Sequence, residues 1–453
     1  MKSRNFYSFA AALFSALSLA VLAHSSPANV SSGDYVRLNI DVDRTVLPSD
    51  TTEKAIVKIG LDCLRLPRRD LRPPVNLALV IDRSGSMSGE KISHAREAAL
   101  EAVRRLAPDD IVSLIAYDSN VETLVAAQRV GNGRHLERAI LGIEVGGNTA
   151  LYGGVTRGAA EVRRHAEGDR YVNRVILLSD GLANVGPSSP EELGRLGASL
   201  MKEGVSVTTI GVGLGFNEDL MTRLAQRSDG NTYFVENSAD LSRIFAAELG
   251  DVLNVVARRV VIEIDFPAGV RPVAFVGRDG AIHGQRAELT LNQLYGGQEK
   301  FALIEVEVEP SQSGLEREIA RARVHYEDTV NQRPATLTAH RKVQFSASRA
   351  AVVSSANHKV QTDYAANVIA VAKDEAVALV DSNQRHAAAS VLRQRAAELR
   401  DMAVVYGNTA VREVSAAAAP EADRLQKEGL GNAERKAYRA ESAQAKAQQS
   451  YSK

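Results

Sequence analysis

Cysteine is almost absent from these 453 residues. Cys63 stands alone, so no disulfide can close within the chain. For a chain with an export-type N-terminus, that suits a bacterial periplasm better than a eukaryotic extracellular module, where disulfides are common. Net charge is absent too, since 55 Lys and Arg balance 55 Asp and Glu. This removes any electrostatic case for nucleic acid or an anionic membrane as the main partner. The nine histidines include no His-Glu-x-x-His and no Cys/His cluster, which argues against a zinc protease.

Long apolar runs are confined to the N-terminus. Lys2 and Arg4 precede an uncharged stretch from Phe6 to Leu22, and Val21-Leu22-Ala23 offers a cleavage point. Residues 1–23 are therefore expected to be a cleaved signal peptide, a retained membrane anchor being the alternative. Its removal leaves a net charge of about −2. No later stretch is apolar enough to span a bilayer, so the expected location is periplasmic or secreted.

What is present is ordinary for a globular protein, with 45% hydrophobic and 24% charged residues. Residues 34–64 hold two strand-like stretches. Val36, Leu38, Ile40 and Val42 alternate with polar neighbours, and Val57, Ile59, Leu61 and Cys63 do the same. That period puts the thiol on an apolar face, as a packing group. A basic connector with prolines at 67, 73 and 74 follows.

From 75 to 250 apolar strands alternate with helical patterns. Strands are expected at Val75–Ile81, Ile111–Tyr117, Val121–Ala126, Val175–Leu178 and Val205–Val212. Helices are expected along Ile92 to Leu106 and near 134–143, 152–166, 190–203, 217–227 and 239–249. This is the pattern of an α/β domain, a mostly parallel sheet covered on both faces. Residues 255–346 return to strict alternation, as in Val260, Ile262, Ile264 and Phe266, and predict antiparallel strands. The 34–64 hairpin cannot bury a face alone. It is expected to join 255–346 in one β-sandwich, with the α/β domain inserted between them. Residues 360–420 have helical periodicity and predict two or three helices. The polar segment 421–453 predicts partial disorder.

One constellation carries chemistry. An apolar strand runs into Asp82-Arg83-Ser84-Gly85-Ser86, a carboxylate followed at two-residue steps by two hydroxyls around a glycine. The carboxyl end of a central parallel strand is where open α/β sheets bind ligands. Hard oxygen donors there suit Mg²⁺. Gly146-Gly147-Asn148-Thr149 adds a hydroxyl in a glycine-rich loop, and Val175 to Leu178 leads into Ser179-Asp180-Gly181, a second strand ending on aspartate. These segments, in this order and context, resemble the von Willebrand factor A family over about 75–250. Val205 to Gly213 resembles that family's fifth strand. The family's metal-ion-dependent adhesion site is an aspartate-x-serine-x-serine loop, a threonine and a second aspartate.

The resemblance implies a Rossmann-like fold and a divalent cation, Mg²⁺ first, with Mn²⁺ or Ca²⁺ as alternatives. Ser84, Ser86 and Thr149 would bind it through their hydroxyls, and Asp82 and Asp180 directly or through water. A protein partner's Asp or Glu would complete the shell. The whole chain also resembles secreted bacterial proteins labelled calcium-activated chloride channel homologues, though a chain without a spanning segment forms no pore alone. The expected function is a non-enzymatic, metal-dependent adhesion module of the bacterial envelope. A metal-assisted hydrolase and a structural surface protein are the alternatives. Ser88-Gly89-Glu90-Lys91 spells a penicillin-binding Ser-x-x-Lys without that pattern's other two elements. Ser88 is accordingly read as a helix N-cap and Lys91 as solvated. Gly211-x-Gly213-x-Gly215 lacks dinucleotide-loop spacing and reads as a tight turn.

Overall fold

The computed structural model describes residues 31–66, 72–166 and 170–451. The expected signal at 1–23 and the first part of the 67–74 connector lie outside them. Four strands come first: β1 (Ser31–Ser32), β2 (Val36–Val42), β3 (Val46–Pro48) and β4 (Glu53–Cys63). The chain then enters an α/β unit. Its elements are β5 (Val75–Asp82), α1 (Glu90–Arg105), β6 (Ile111–Tyr117), β7 (Val121–Arg129), α2 (Arg134–Leu141), α3 (Leu151–Arg163), β8 (Val172–Ser179), α4 (Pro190–Lys202), β9 (Val205–Val212), α5 (Glu218–Arg227), β10 (Thr232–Val235) and α6 (Leu241–Val252).

The strand order of this unit is β10-β9-β8-β5-β6-β7, parallel except for the antiparallel edge strand β7. Every residue of β5, β6, β8 and β9 is buried, as expected for strands covered on both faces. One layer packs Ala95, Ala99, Leu136, Phe245 and Leu249 of α1, α2 and α6 against the sheet. The other packs Leu151, Val155, Leu200 and Leu224 of α3, α4 and α5. The α3 helix sits unusually close. A Cβ on Gly158 would fall 2.6 Å from Val80 Cγ2, and one on Gly154 2.8 Å from Tyr117 Cδ1. Glycine at these two positions lets the helix press on β5 and β6, which sets where the loop before α3 meets the end of β5. The chain leaves β5 for β6 on one side and returns to β8 on the other. The β5/β8 gap is therefore the topological switch point.

Seven strands follow: β11 (Val255–Asp265), β12 (Val270–Val276), β13 (Ala281–His283), β14 (Arg286–Tyr295), β15 (Gln298–Val308), β16 (Glu316–Asp328) and β17 (Arg333–Ser346). Two sheets are built from strands on both sides of the α/β unit. One has the order β1-β2-β4-β15-β12, and the other β13-β14-β11-β16-β17-β3. The pairs are antiparallel except β3 on β17. Leu38, Ile59 and Ile304 of the first sheet share one core with Ile262, Leu291 and Val324 of the second. The α/β unit is thus inserted in an antiparallel sandwich. Only Leu253 and Asn254 separate α6 from β11. Beneath them Arg174, fully buried, donates to Thr208 (3.1 Å), Gln293 (2.7 Å) and Tyr295, and lies 3.5 Å from Glu248.

The C-terminal region holds α7 (Arg349–Ser354), α8 (His358–Asp381), α9 (Arg385–Tyr406), α10 (Thr409–Glu428) and α11 (Asn432–Lys446). A last strand, β18 (Gln449–Tyr451), pairs with β15. One expectation fails here. Residues 360–420 hold three long helices, α8, α9 and α10, the last running on through Pro420. The segment expected to be partly disordered forms α11. It needs little apolar core because Arg435 bonds Asp219 (2.5 Å), Asp381 (2.7 Å) and Glu218, while Lys436 bonds Glu218 and the Phe216 carbonyl, both at 2.5 Å. Among the described residues no helix is long and apolar enough to cross a membrane.

Candidate functional site

Asp82 is the last residue of β5 and is fully buried. Its two oxygens are held separately: Oδ1 accepts the Ser84 N–H at 2.8 Å, and Oδ2 accepts the Ser179 hydroxyl at 2.7 Å. The backbone then closes a single 3-10 turn, Gly85–Met87, with Ser84 in extended conformation before it. Gly85 N–H donates to the Gly147 carbonyl (3.1 Å), and Gly146 N–H to the Arg83 carbonyl (2.8 Å). These two bonds stitch the first loop to the loop carrying Thr149. That residue is fixed by its own N–H on Asn184 Oδ1 (2.8 Å) and by Asn184 N–H on its carbonyl (3.2 Å).

Asp180 follows β8 directly and is also fully buried. Its Oδ1 accepts the Ser86 hydroxyl at 2.7 Å, and the Ser86 and Ser84 hydroxyls lie 3.1 Å apart. Gly181 measures how tightly the rest converges. A Cβ built there would lie 2.9 Å from Thr149 Oγ1, 3.2 Å from Ser86 Oγ and 3.7 Å from Ser84 Oγ. Three hydroxyls thus surround one point that only glycine leaves open. All five residues named from the sequence meet at this switch point.

Burial pushes the Asp82 carboxyl above its ordinary range. The Ser84 and Ser179 bonds pull it back, and the neighbouring Asp180 carboxylate pushes it up again. Two buried carboxylates in one pocket call for a cation. In this structure Lys91 provides one, its ammonium 2.5 Å from Asp180 Oδ2 and 3.3 Å from the Ser86 carbonyl. The reading of Lys91 as solvated is therefore corrected: the first turn of α1 aims it back across the loop into the site. Ser88 is not the helix N-cap either. Gly89 holds that place, at φ +77, with no side-chain cap.

Two further residues were missed from sequence. Ser179 was hidden as the last residue of an apolar strand, although a hydroxyl beside a strand-terminal aspartate is a readable signal. Asn184 gave none, because its bond to Thr149 crosses 35 residues. The donor set of two carboxylates and three hydroxyls is all hard oxygen and fits a divalent cation of the Mg²⁺ type.

The von Willebrand factor type A domain model matches residues 76–247. The chain contains a von Willebrand factor type A domain. Such domains generally mediate metal-dependent protein–protein interaction. The chain is similar to the uncharacterized protein sll0103 of Synechocystis sp. (29% identity, 57% of this chain and 63% of that one). It is also similar to the uncharacterized protein YfbK of Escherichia coli (26%, 45% and 36%). Human inter-alpha-trypsin inhibitor heavy chain H3 is 28% identical over 37% of this chain and 20% of its own. The chain thus spans less than two thirds of each of these relatives. Among solved structures, a von Willebrand factor type A protein from Catenulispora acidiphila superposes with TM-score 0.65 at 16% identity, over 88% of this chain and 98% of that one. The ArnB paralog VWA2 from Sulfolobus acidocaldarius gives 0.60 at 15%, over 91% and 98%. Both cover the sandwich as well as the A-type domain, and at these identities they show a shared fold.

Proposed function

We propose that Asp82, Ser84, Ser86, Thr149 and Asp180 hold a divalent cation, Mg²⁺ or else Mn²⁺ or Ca²⁺, and that the protein is a non-enzymatic adhesion module of the bacterial cell envelope. The supporting observation is the convergence of three hydroxyls and two buried carboxylates on the space beside Gly181. A bound cation supplies Lewis acidity toward a carboxylate, here an Asp or Glu side chain of a protein partner. The chain's own residues do the positioning. Ser179 and the Ser84 N–H orient Asp82, Asn184 orients the Thr149 backbone, and Ser86 ties the first loop to Asp180. Few formal charges face the cation, so a partner's carboxylate remains attractive to it.

Calorimetry with Mg²⁺ and Mn²⁺ on the wild type and Asp82→Asn tests the site. Capture of partners from an envelope fraction, in Mg²⁺ and in EDTA, tests its use. Saturable metal binding lost in Asp82→Asn, with capture lost in EDTA, is expected. Metal binding that survives Asp82→Asn, or capture indifferent to EDTA, sinks the reading. Export to the periplasm or beyond belongs to the same proposal. It rests on the Lys2-to-Ala23 signal pattern, and fractionation with N-terminal mass spectrometry checks it.

A further inference from the structure

A cleft of about 640 Å³ opens away from the candidate metal residues, where three parts of the molecule meet. Its walls come from α4, α5 and β10 of the A-type domain, from the β12–β15 side of the sandwich, and from the end of α11. That volume suits a small molecule, and junctions between structural units are common places for one.

The charge of the lining is unbalanced. Asp229 lies in the floor and accepts from Lys300 (2.9 and 3.1 Å), from Arg278 (3.1 Å) and from the Asn292 N–H (2.7 Å). One carboxylate thus serves two nearly buried cations, leaving one positive charge over. Asp251 offsets this only in part, because burial and the adjacent Glu248 carboxylate raise its pKa to about 7, while burial lowers that of Lys300 to about 8. At the rim Arg227 pairs with Asp279 and Lys446 with Asp374. Lys202 and Arg223 line the same cleft with no acidic partner among the described residues.

Two buried donors in the lining also lack acceptors: Gln226 Nε2 and Arg278 Nε. Buried polar groups are nearly always paired, and an orphan points to a missing water, ion or ligand. Both orphans are N–H groups, so the missing partner is an acceptor. The floor residue Asp229 holds φ +52, a conformation uncommon outside glycine and kept where the surroundings enforce it. Excess positive charge, unpaired donors and a concave shape all select the same kind of guest.

We propose that this cleft binds a small organic anion through a phosphate or carboxylate group, bridging the A-type domain, the sandwich and α11. Arg223 and Lys202 meet the anion from the rim, and Gln226 and Arg278 supply neutral and charged N–H donors from below. The site is independent of the metal residues and does not rest on their assignment.

The test is calorimetry on the full chain in metal-free buffer at fixed ionic strength, with inorganic phosphate and with succinate as probes. Saturable binding of at least one is expected. Phosphate alone would assign a phosphoryl ligand and succinate alone a carboxylate. The paired exposed substitutions Lys202→Gln and Arg223→Gln are expected to weaken binding at least about tenfold, the scale of losing one charge-assisted hydrogen bond. Gln226→Leu is expected to weaken it severalfold, and Asp82→Asn to leave it unchanged. No saturable heat with either probe overturns the proposal. So does undiminished binding in the Lys202→Gln/Arg223→Gln protein, or loss of binding in Asp82→Asn.

Discussion

Replacing Gly181 by alanine puts a methyl carbon among the three site hydroxyls, and its two consequences separate cleanly. The new carbon would sit 2.9 Å from Thr149 Oγ1 and 3.2 Å from Ser86 Oγ. The first contact is closer than side chains tolerate and the second is tight, so at least one hydroxyl must turn away. Gly181 is not among the glycines at positive φ. Its backbone therefore accepts alanine, and the unfolded chain loses freedom worth about 0.4–1 kcal/mol in favour of folding. Overpacking opposes this with about 1–3 kcal/mol. The net loss of stability is expected to be no more than about 2.6 kcal/mol. Metal affinity suffers more. Losing a group that holds a ligand in place weakens binding about 10- to 100-fold, and here the added methyl also fills the space. Calorimetry with Mn²⁺ gives the affinity, and urea unfolding of the metal-free protein gives the stability. A Gly181→Ala protein that binds metal as the wild type does would refute the convergence argument. Unfolding without metal would refute the claim that the cost falls on the site.

Three other outcomes follow from particular side chains. Lys91→Met removes the ammonium that neutralises Asp180, so metal affinity is expected to rise severalfold by calorimetry; unchanged or weaker binding contradicts this. Arg174→Met leaves Glu248 buried beside an apolar chain, with an expected loss of about 3–5 kcal/mol in urea unfolding. Adding Glu248→Gln should recover part of it, and simple additivity of the two losses would disprove the coupling. Asp251 has a folded pKa raised from 3.8 to about 7, chiefly by burial and then by Glu248. The folded state holds the extra proton between those values, so this group's stabilisation is present at low pH and lost as pH rises toward 7. Asp251→Asn is expected to flatten that part of the stability–pH curve, and an unaltered slope rules the shift out.

The α/β pattern was legible because its strands are buried on both faces and its helices carry apolar stripes. The expected strands Ile111–Tyr117 and Val205–Val212 match the observed bounds. The short β10 escaped notice because Thr232, Tyr233 and Phe234 are only half-buried. The sandwich was legible from its period of two, and its union with the N-terminal strands from the fact that a lone hairpin cannot bury a face. Helix α11 was not legible. Its partners Glu218 and Asp219 lie more than 200 residues away, and a polar segment shows no periodic sign of ion pairs that distant.

By itself the sequence determined which strands lead into Asp82 and Asp180 and which loops carry Ser84, Ser86 and Thr149, since these follow from local apolar runs and their breaks. Tertiary structure alone decided three things: that Lys91 turns back onto Asp180, that Gly181 leaves the central space open, and that α11 closes one wall of a cationic cleft. Each depends on atoms brought within a few ångströms by chain segments far apart in number. Local patterning records which face a residue presents to the core, but not which distant charge or hydroxyl it will meet there.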